Sequence, residues 1–213
     1  MKFKRFALLV ICLILCVTSI PTYVLATETS TTSVENSFVP MPKEEYEYYV
    51  NILKIGTNEE KNSVVNAIYE YANSNMSTYA WSSQYSQNMG DGTYLIQGFV
   101  TCSHSKNGMV VRTTVPASMR GSGSAGYTWT GFDSGYSAAA NGNYTYSGNV
   151  TVSILTPTQL YIGVYGTFEI AKSVAISMGI NLDALNYSYS VGSTDYYRTD
   201  FQGSHLEVSP VAG

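Results

Sequence analysis

One stretch of the chain, Leu160–Leu182, alternates apolar and polar residues almost without a break. Apolar residues such as Ile162 and Val164 are separated by residues such as Tyr161 and Tyr165. A period of two is that of a β-strand, because successive side chains of a strand point to opposite faces of the sheet. One face of this sheet is therefore dry or lipid-covered and the other is wet, since a strand buried on both faces would be apolar throughout.

This alternating stretch is too long for one ordinary strand, so we predict two strands in it. The break is expected at Ala171–Lys172, where a charge interrupts the apolar face. A turn at Asp183–Ala184 would then pair Ile180 with Tyr187 and continue the apolar face into the next strand.

Two hairpins are predicted in the chain before and at the start of this stretch. Asn107–Gly108 forms the tip of the first, because Asn-Gly is the strongest short hairpin signal. Thr156–Thr158, with a proline that cannot donate to a strand ladder, forms the tip of the second. The expected partners are His104 with Val111, Cys102 with Thr113, Val100 with Val115, Ile154 with Leu160, Val152 with Ile162 and Val150 with Val164.

Segments that alternate in this way extend over residues 93–213, with turn residues between them. Among them is an aromatic strand over Tyr127–Phe132. About eight or nine strands joined by short turns indicate an antiparallel arrangement. We therefore predict a mainly β domain, which is an antiparallel β-sandwich or a small barrel.

The hydrophobic period changes to that of a helix ahead of the strands, over residues 43–75. A first apolar stripe ends at Gly56, and a second begins after Thr57–Glu60, which has the form of a capping box. We predict a short helical hairpin that either packs on the β domain or forms a separable appendage. Its stripes consist of Tyr46, Tyr49, Val50 and Leu53, and of Val64, Val65, Ile68 and Ala72.

Residues 1–26 have the form of a secretory signal peptide. A cationic start precedes an apolar run, and small or medium residues stand before an expected cleavage site after Ala26. The run is too short to span a bilayer comfortably, which argues against an uncleaved anchor. Residues 27–42 are rich in Ser and Thr and predict a disordered linker, and residues 76–92 predict a second linker that lies against the β domain.

Charge and cysteine content limit the classes of partner. Loss of residues 1–26 would change the net charge from -4 to -7, because they carry three cations and no acidic residue. Nucleic-acid binding depends on clustered Lys and Arg, so we expect no nucleic-acid partner. Cys102 would be the lone cysteine after cleavage, and no intrachain disulfide could form. A secreted protein of this size without disulfides is typical of Gram-positive bacteria, so we expect it outside the cell or at the cell wall.

Few residues of the chain offer catalytic or metal-binding chemistry. Cys102, His104 and His205 are the only set that supplies a thiol and imidazoles. Cys102 and His104 are poorly aimed at each other along one strand, and a zinc site needs four ligands at tighter spacing. The glycine-rich segment 121–126 has the letters of a dinucleotide-binding motif, but a strand follows where a helix is required. We therefore expect no cofactor and no metal, and a binding protein rather than an enzyme.

Tyrosine is the main compositional signal, since 18 of the 19 tyrosines lie beyond residue 26. Exposed aromatic side chains with few neighbouring charges suit the recognition of carbohydrate or protein. Tyrosine is also a strong strand former that is readily half-buried, so structural packing is the alternative explanation. The candidate binding residues are Tyr127, Trp129, Tyr136, Tyr161 and Tyr165.

These observations leave three functional hypotheses. The first is a secreted, non-enzymatic β-sandwich protein that binds a cell-envelope component, a glycan or another protein through exposed aromatic residues. The second is a membrane-acting β-hairpin pore-forming toxin, because a membrane-spanning strand alternates in the same way over about 10 residues. The third is a cell-envelope hydrolase, for which no pair of acidic residues stands out. The ligand and the oligomeric state stay open at this point.

Overall fold

The computed structural model describes residues 32–33, 38–74 and 85–209. Two antiparallel β-sheets pack face to face, and two helices lie on the outer side of the first sheet. The sheets do not join into a closed barrel. The predicted antiparallel β-sandwich with an N-terminal helical part is thus confirmed, and the alternative of a small barrel is wrong.

The first sheet is built around a long central hairpin. Its strands are β1 (Thr32–Ser33), β2 (Phe38–Pro40), β3 (Ser86–Asn88), β4 (Tyr94–Lys106), β5 (Met109–Ser122), β6 (Gly126–Phe132) and β7 (Tyr136–Ala139). β4 and β5 form the hairpin. β1, β2 and β3 pair with the other side of β4, and β6 and β7 pair with the other side of β5.

The second sheet has the spatial order β10-β11-β9-β8. Its strands are β8 (Thr145–Thr156), β9 (Gln159–Ala171), β10 (Tyr187–Val191) and β11 (Thr194–Val208). The helices are α1 (Lys43–Ile55), α2 (Asn58–Ser74) and α3 (Lys172–Ser177), and a 3-10 turn (Leu182–Ala184) follows α3. The strands from β4 onwards number eight, in agreement with the eight or nine predicted for this part of the chain.

Both predicted hairpins are present in the predicted register. Asn107 and Gly108 have positive φ values of 51° and 78°, as a two-residue type I′ turn requires. Every pair predicted for this hairpin occurs, and Cys102 accordingly faces the core between the sheets. The pairs predicted between β8 and β9 occur as well, with Pro157 in the turn outside the ladder.

The second half of the alternating stretch is a helix, so the strand predicted there is wrong. α3 begins at Lys172, directly after the predicted break, and Gly179 follows its end with a φ of 71°. The amide of Gly179 donates to the carbonyl of Ile176, and the amide of Ile180 donates to that of Ala175. These two hydrogen bonds are those of a Schellman motif, in which glycine adopts the left-handed conformation without steric cost. Gly179 is therefore a helix stop signal that the alternation conceals.

The pairings predicted beyond that point are wrong for the same reason. A 3-10 turn takes the place of the turn at Asp183–Ala184, and Ile180 does not pair with Tyr187. Tyr187 pairs with β11 instead. Ile180 is nonetheless buried, and Val174, Met178 and Leu182 pack against the core between the sheets, whereas Ile176 is exposed. The side chain of Asn107 donates to the carbonyl of Ala184, which places this segment at the end of the sandwich that holds the β4–β5 turn.

The apolar face of β9 is covered by the first sheet. Leu160, Ile162, Val164 and Phe168 are fully buried in one core with residues of β4, β5 and β6. A hairpin that inserted this face into a bilayer would first have to separate the two sheets. Within the described residues, no helix has both the length and the apolar character of a bilayer span.

The helical hairpin packs on the outer face of the first sheet. The predicted capping box is present, since the Thr57 amide lies 2.8 Å from a Glu60 carboxylate oxygen and the Glu60 amide lies 3.3 Å from Thr57 Oγ1. A second core fills the space between helices and sheet, with Phe99 of β4 and Ile68 of α2 fully buried in it. The hairpin is therefore integral to the fold and not a separable appendage.

Part of the segment predicted as a disordered linker, residues 27–42, is ordered. β2 pairs with β4, and Phe38 and Met41 are buried. Gly98 permits this approach, because a Cβ at that position would collide with the carbonyl of Val39. A few apolar residues at the end of a polar segment are enough to dock it on a sheet, and an averaged composition hides them.

Other N-terminal predictions fall mainly outside the described residues. The segment predicted as a signal peptide, residues 1–26, is not among the described residues, and neither are residues 34–37 and 75–84. Within the linker predicted over residues 76–92, β3 pairs with β4. That pairing agrees with a segment that lies against the sheet.

Replacing Phe99 by Ala is expected to lower the free energy of unfolding by about 3–5 kcal/mol, because the ring is fully buried between sheet and helices. The matched change Phe132→Ala, at a side chain that is 45% exposed, is expected to cost less than about 1 kcal/mol. Urea titrations followed by helical circular dichroism and by tryptophan fluorescence measure both effects. The two signals should change together in each protein, and a separate transition of the helices would contradict their integral packing.

Candidate functional site

The residues with nucleophilic or metal-binding side chains lie between the sheets, away from solvent. Cys102, a free thiol, His104 and His205 are buried on the inner faces of β4 and β11. Glu207 is buried on the same face as His205, and its carboxylate lies 2.9 Å from Nε2 of that residue. Among the described residues, no three His, Cys, Asp or Glu side chains come together as a metal site.

The surroundings of Cys102 do not favour a nucleophile. Burial, with a contribution from the charge of Glu207, raises the pKa of the thiol to about 12, and a hydrogen bond with Thr113 offsets this only in part. A thiol that stays protonated is a poor nucleophile. Its place in the core indicates a packing role.

His104 of β4 is held against β11 of the opposite sheet. Its Nε2 lies 3.2 Å from the carbonyl oxygen of Ser204, and its ring packs edge-on against Phe201 at 5.8 Å between centroids. Gly203 makes room for it, because a Cβ there would lie 2.7 Å from the imidazole Cδ2. Burial lowers the pKa of His104, and the charge of His205 adds to this against the opposing effect of the Ser204 carbonyl.

Trp129, one of the predicted binding aromatics, is not an exposed ring. It faces inward from β6 and is buried edge-on to Phe38, at 5.5 Å between centroids. Tyr127 of the same strand is half-buried against the same core. Tyr136 packs partly against the helices, with its hydroxyl 3.5 Å from Oδ1 of Asn58. In these three residues, structural packing takes up most of the aromatic surface.

Tyr161 and Tyr165 lie on the opposite side of the second sheet from the core. Tyr165 is 38% exposed, and its ring lies along the sheet over Gly163. A Cβ at Gly163 would lie 2.9 Å from Cε2 and 3.1 Å from the hydroxyl of that ring. A hydrogen bond with the Tyr161 side chain raises the pKa of Tyr165. The glycine therefore lets the phenol ring lie flat where another side chain would interrupt the surface.

The outer face, as we call it, is the solvent side of the second sheet. Its side chains form rows across the four strands, for example Thr145, Glu169, Arg198 and Tyr187. Most of them end in a hydroxyl or an amide. The outer face includes Thr145, Ser147, Asn149, Thr151, Ser153, Tyr161, Gly163, Tyr165, Thr167, Glu169, Tyr187, Tyr189, Val191, Tyr196, Arg198, Asp200, Gln202, Ser204, Leu206 and Val208.

A groove of about 710 Å³ crosses one end of the outer face. Every strand of the sheet contributes to it, so it depends on the complete sheet rather than on one loop. Hydroxyl groups, tyrosine rings and charged groups line it together, and Tyr187 is 59% exposed. The lining residues are Thr145, Ser147, Thr167, Glu169, Tyr187, Ser188, Tyr189, Arg198 and Asp200.

A hydrogen-bonded ion pair forms the centre of the groove. Nε of Arg198 lies 2.6 Å from Oε2 of Glu169, and the guanidinium carbon lies 4.6 Å from the ring centroid of Tyr189. Tyr189 in turn stacks on Tyr196, at 5.4 Å and 19°. Desolvation opposes ionisation of Glu169, but hydrogen bonds from Tyr189 and Arg198 outweigh it and lower the pKa of the carboxyl group. The charges of this set balance and the side chains hold one another in place.

Sequence reasoning omits Arg198, Asp200 and the tyrosines of β10 from the candidate binding residues. The predicted pairing of Tyr187 with Ile180 is wrong, and it places β10 beside the second half of the alternating stretch instead of beside β11. A signal for the correct pairing does exist. Gly192, with a φ of 61°, and the serine after it separate two tyrosine-rich segments, and a two-residue turn with glycine typically joins hairpin strands.

The residues of the groove themselves indicate the kind of ligand that it suits. A scan against protein-family models gives no match to the chain, and neither the curated proteins nor the solved structures give one. Hydroxyl, guanidinium and carboxylate groups supply hydrogen-bond donors and acceptors, and the tyrosine rings supply apolar platforms. Such a surface suits a polar ligand that also has apolar faces.

The burial of His104 predicts a loss of stability in acid. Folding lowers the pKa of His104 below its usual 6.5, so the unfolded chain binds the proton more tightly. The stability from this group is complete above pH 6.5 and is lost as the pH falls from there through the folded-state pKa. Urea unfolding at a series of pH values should show this decline in the wild type and a flatter profile in His104→Gln. Parallel profiles would contradict the assignment.

Replacing Gly163 by Ala is expected to push the Tyr165 ring off the sheet, because the new Cβ would lie 2.9 Å from Cε2. The hydrogen bond with Tyr161 would be lost, and the pKa of Tyr165 should fall toward its ordinary value of 10.0. An NMR titration with ring-labelled tyrosine measures this pKa. Gly142→Ala, at a loop position with open space around it, is the matched control and should leave the titration of Tyr165 unchanged. An unchanged pKa in Gly163→Ala would contradict the contact.

Proposed function

We propose that this protein is a secreted, non-enzymatic β-sandwich that binds a neutral glycan of the cell envelope on the outer face of its second sheet. One observation carries the proposal. The outer face brings exposed tyrosine rings and many hydroxyl and amide side chains together around one groove. The sheet that carries the groove is rigid, because the inner face of its strands is packed in the core.

The composition of the outer face matches the two kinds of surface on a sugar ring. A sugar ring has apolar faces of C–H groups and a rim of hydroxyl groups. Tyr165 and Tyr187 offer exposed rings for stacking with the C–H groups. Gln202 lies beside Tyr165 in the same row, and the next row toward Tyr187 contains the hydrogen-bonded pair of Thr167 and Asp200, at 3.1 Å; these groups can exchange hydrogen bonds with sugar hydroxyls.

The charged groups of the groove disfavour an anionic ligand, because Glu169 pairs with Arg198 while the carboxylate of Asp200 accepts a hydrogen bond from the hydroxyl of Thr167. Arg198 is bound by Glu169, and Nζ of Lys172 lies 3.3 Å from a carboxylate oxygen of Asp195. An anionic ligand would have to displace these carboxylates and would also be repelled by Asp200. Hydrogen bonds to uncharged groups are then the main source of specificity, as a neutral sugar requires.

Glu169 is not suited to be the proton donor of a glycoside hydrolase. Glycoside hydrolysis needs a carboxylic acid with a raised pKa, because that group has to donate a proton to the leaving oxygen. The pKa of Glu169 is lowered instead, and Arg198 holds its carboxylate.

Secretion of the protein would determine which glycans it contacts. The cationic and apolar pattern of residues 1–26 predicts secretion. An exported protein first encounters the polysaccharides of the cell wall and cell surface. Cell-envelope polysaccharide, including the glycan strands of peptidoglycan, is therefore the ligand class that we propose.

Retention on insoluble cell-wall glycan and calorimetry with soluble fragments test the proposal. Tyr187→Ala and Tyr165→Ala should each weaken binding by about five- to tenfold, because a stacked ring contributes about 1–1.5 kcal/mol. Tyr48→Ala is the matched control, since Tyr48 is 62% exposed but lies on α1, beyond the first sheet. Failure of the folded wild type to bind any of these glycans, or equal weakening by Tyr48→Ala, would overturn the proposal.

A further inference from the structure

The exposed tyrosines of the outer face lie in two separate places. Tyr187 belongs to the groove, in the row of Arg198 and Glu169. Tyr165 lies four residues before Glu169 on β9, outside the residues that line the groove. Strand rise and strand spacing separate Tyr165 from Tyr187 by about 13 Å along the strands and about 10 Å across them, or about 16 Å in all. One sugar unit is too small to reach both tyrosines.

The second place is formed by the side chains of Tyr161 and Tyr165, which we call the β9 platform. The two side chains are joined by a hydrogen bond. Gly163 lies between them in sequence, and the ring of Tyr165 occupies the space that a Cβ at Gly163 would need. Because these contacts lie within the protein, the ring has its orientation before any ligand binds, which lowers the entropy cost of stacking on it.

The surface between the groove and the β9 platform is polar and open to solvent. The row next to Tyr187 contains the hydrogen-bonded pair of Thr167 and Asp200. In the row after it, the exposed amide side chains of Asn149 and Gln202 flank Tyr165 on both sides. These groups can donate and accept hydrogen bonds along the whole distance from the groove to the platform.

We propose that the outer face binds one polysaccharide chain at both places at once. One part of the chain occupies the groove, and sugar units further along the same chain stack on the β9 platform. This inference rests on the function proposed above and adds the size of the ligand. The ligand is a linear chain of several linked sugar units, and the β9 platform is a second subsite for it.

Two subsites on one chain make the affinity depend on the length of the chain. Once a long chain lies in the groove, its contact with the β9 platform is intramolecular and costs little further entropy. A short fragment reaches only one place at a time. It binds in the groove, because the groove is concave and combines tyrosine rings with polar groups, whereas the platform is flat.

Calorimetry with fragments of increasing length tests the proposal on the full chain, expressed with its own N-terminal segment so that any processing takes place. The first probe is a series of β-1,4-linked N-acetylglucosamine oligomers from the disaccharide to the hexasaccharide. The second is a set of size-separated fragments of whichever cell-wall glycan retains the protein. In the series that binds, the longest fragment should bind about tenfold more tightly than the disaccharide, because it adds one stacked ring.

Substitutions at the two places should affect long and short fragments differently. Tyr165→Ala should weaken binding of the hexasaccharide about five- to tenfold and leave binding of the disaccharide unchanged. Tyr187→Ala should weaken binding of both. Tyr165→Phe is the matched control, because it keeps the ring at the same place and should keep the dependence on length. Circular dichroism shows whether each variant is folded.

Equal affinities of the disaccharide and the hexasaccharide for the wild type would overturn the proposal and leave the function proposed above standing. An equal loss of affinity for both fragments in Tyr165→Ala would do the same, since the platform would then belong to a single subsite with the groove. If neither series binds and no cell-wall glycan retains the protein, the proposed function fails and this inference fails with it.

Discussion

The rest of the molecule depends on the burial of the inner face of β9 against the first sheet. This contact joins the two sheets in one core and determines which side chains of β8 and β11 point outward. Strand side chains alternate with a period of two, so a slip of one residue would turn Tyr165 and Arg198 into the core. The packing of the core and the composition of the outer face are therefore set by the same register.

Some parts of this fold could be predicted because their signals are local. Asn107–Gly108 sets the register of its hairpin within two residues, through the backbone conformation that the turn requires. The capping box of Thr57 and Glu60 marks the start of a helix in the same way. The alternation that starts at Leu160 predicts the inner and outer sides of β9, and with them the outward position of Tyr161 and Tyr165.

Other parts could not be predicted because they depend on contacts between distant residues. After Ala171 a short apolar segment suits either a strand or a helix, and only the conformation of Gly179 separates the two. Trp129 is buried against Phe38, a residue far away in the chain. Arg198 joins the groove because β11 pairs with β9, and no local turn specifies that pairing.

The pairing of β11 with β9 has a consequence for the order of folding. The hairpins β4–β5, β8–β9 and β10–β11 each close a short loop, whereas α3, the 3-10 turn and β10 separate β9 from β11. Closing the longer loop costs more chain entropy, so this pairing is expected to come late. The groove is lined by residues of both β9 and β11, so it forms only when these two strands have paired. A chain that has formed its hairpins but not this pairing would expose its apolar faces and lack the groove, so the groove exists only in the completely folded protein.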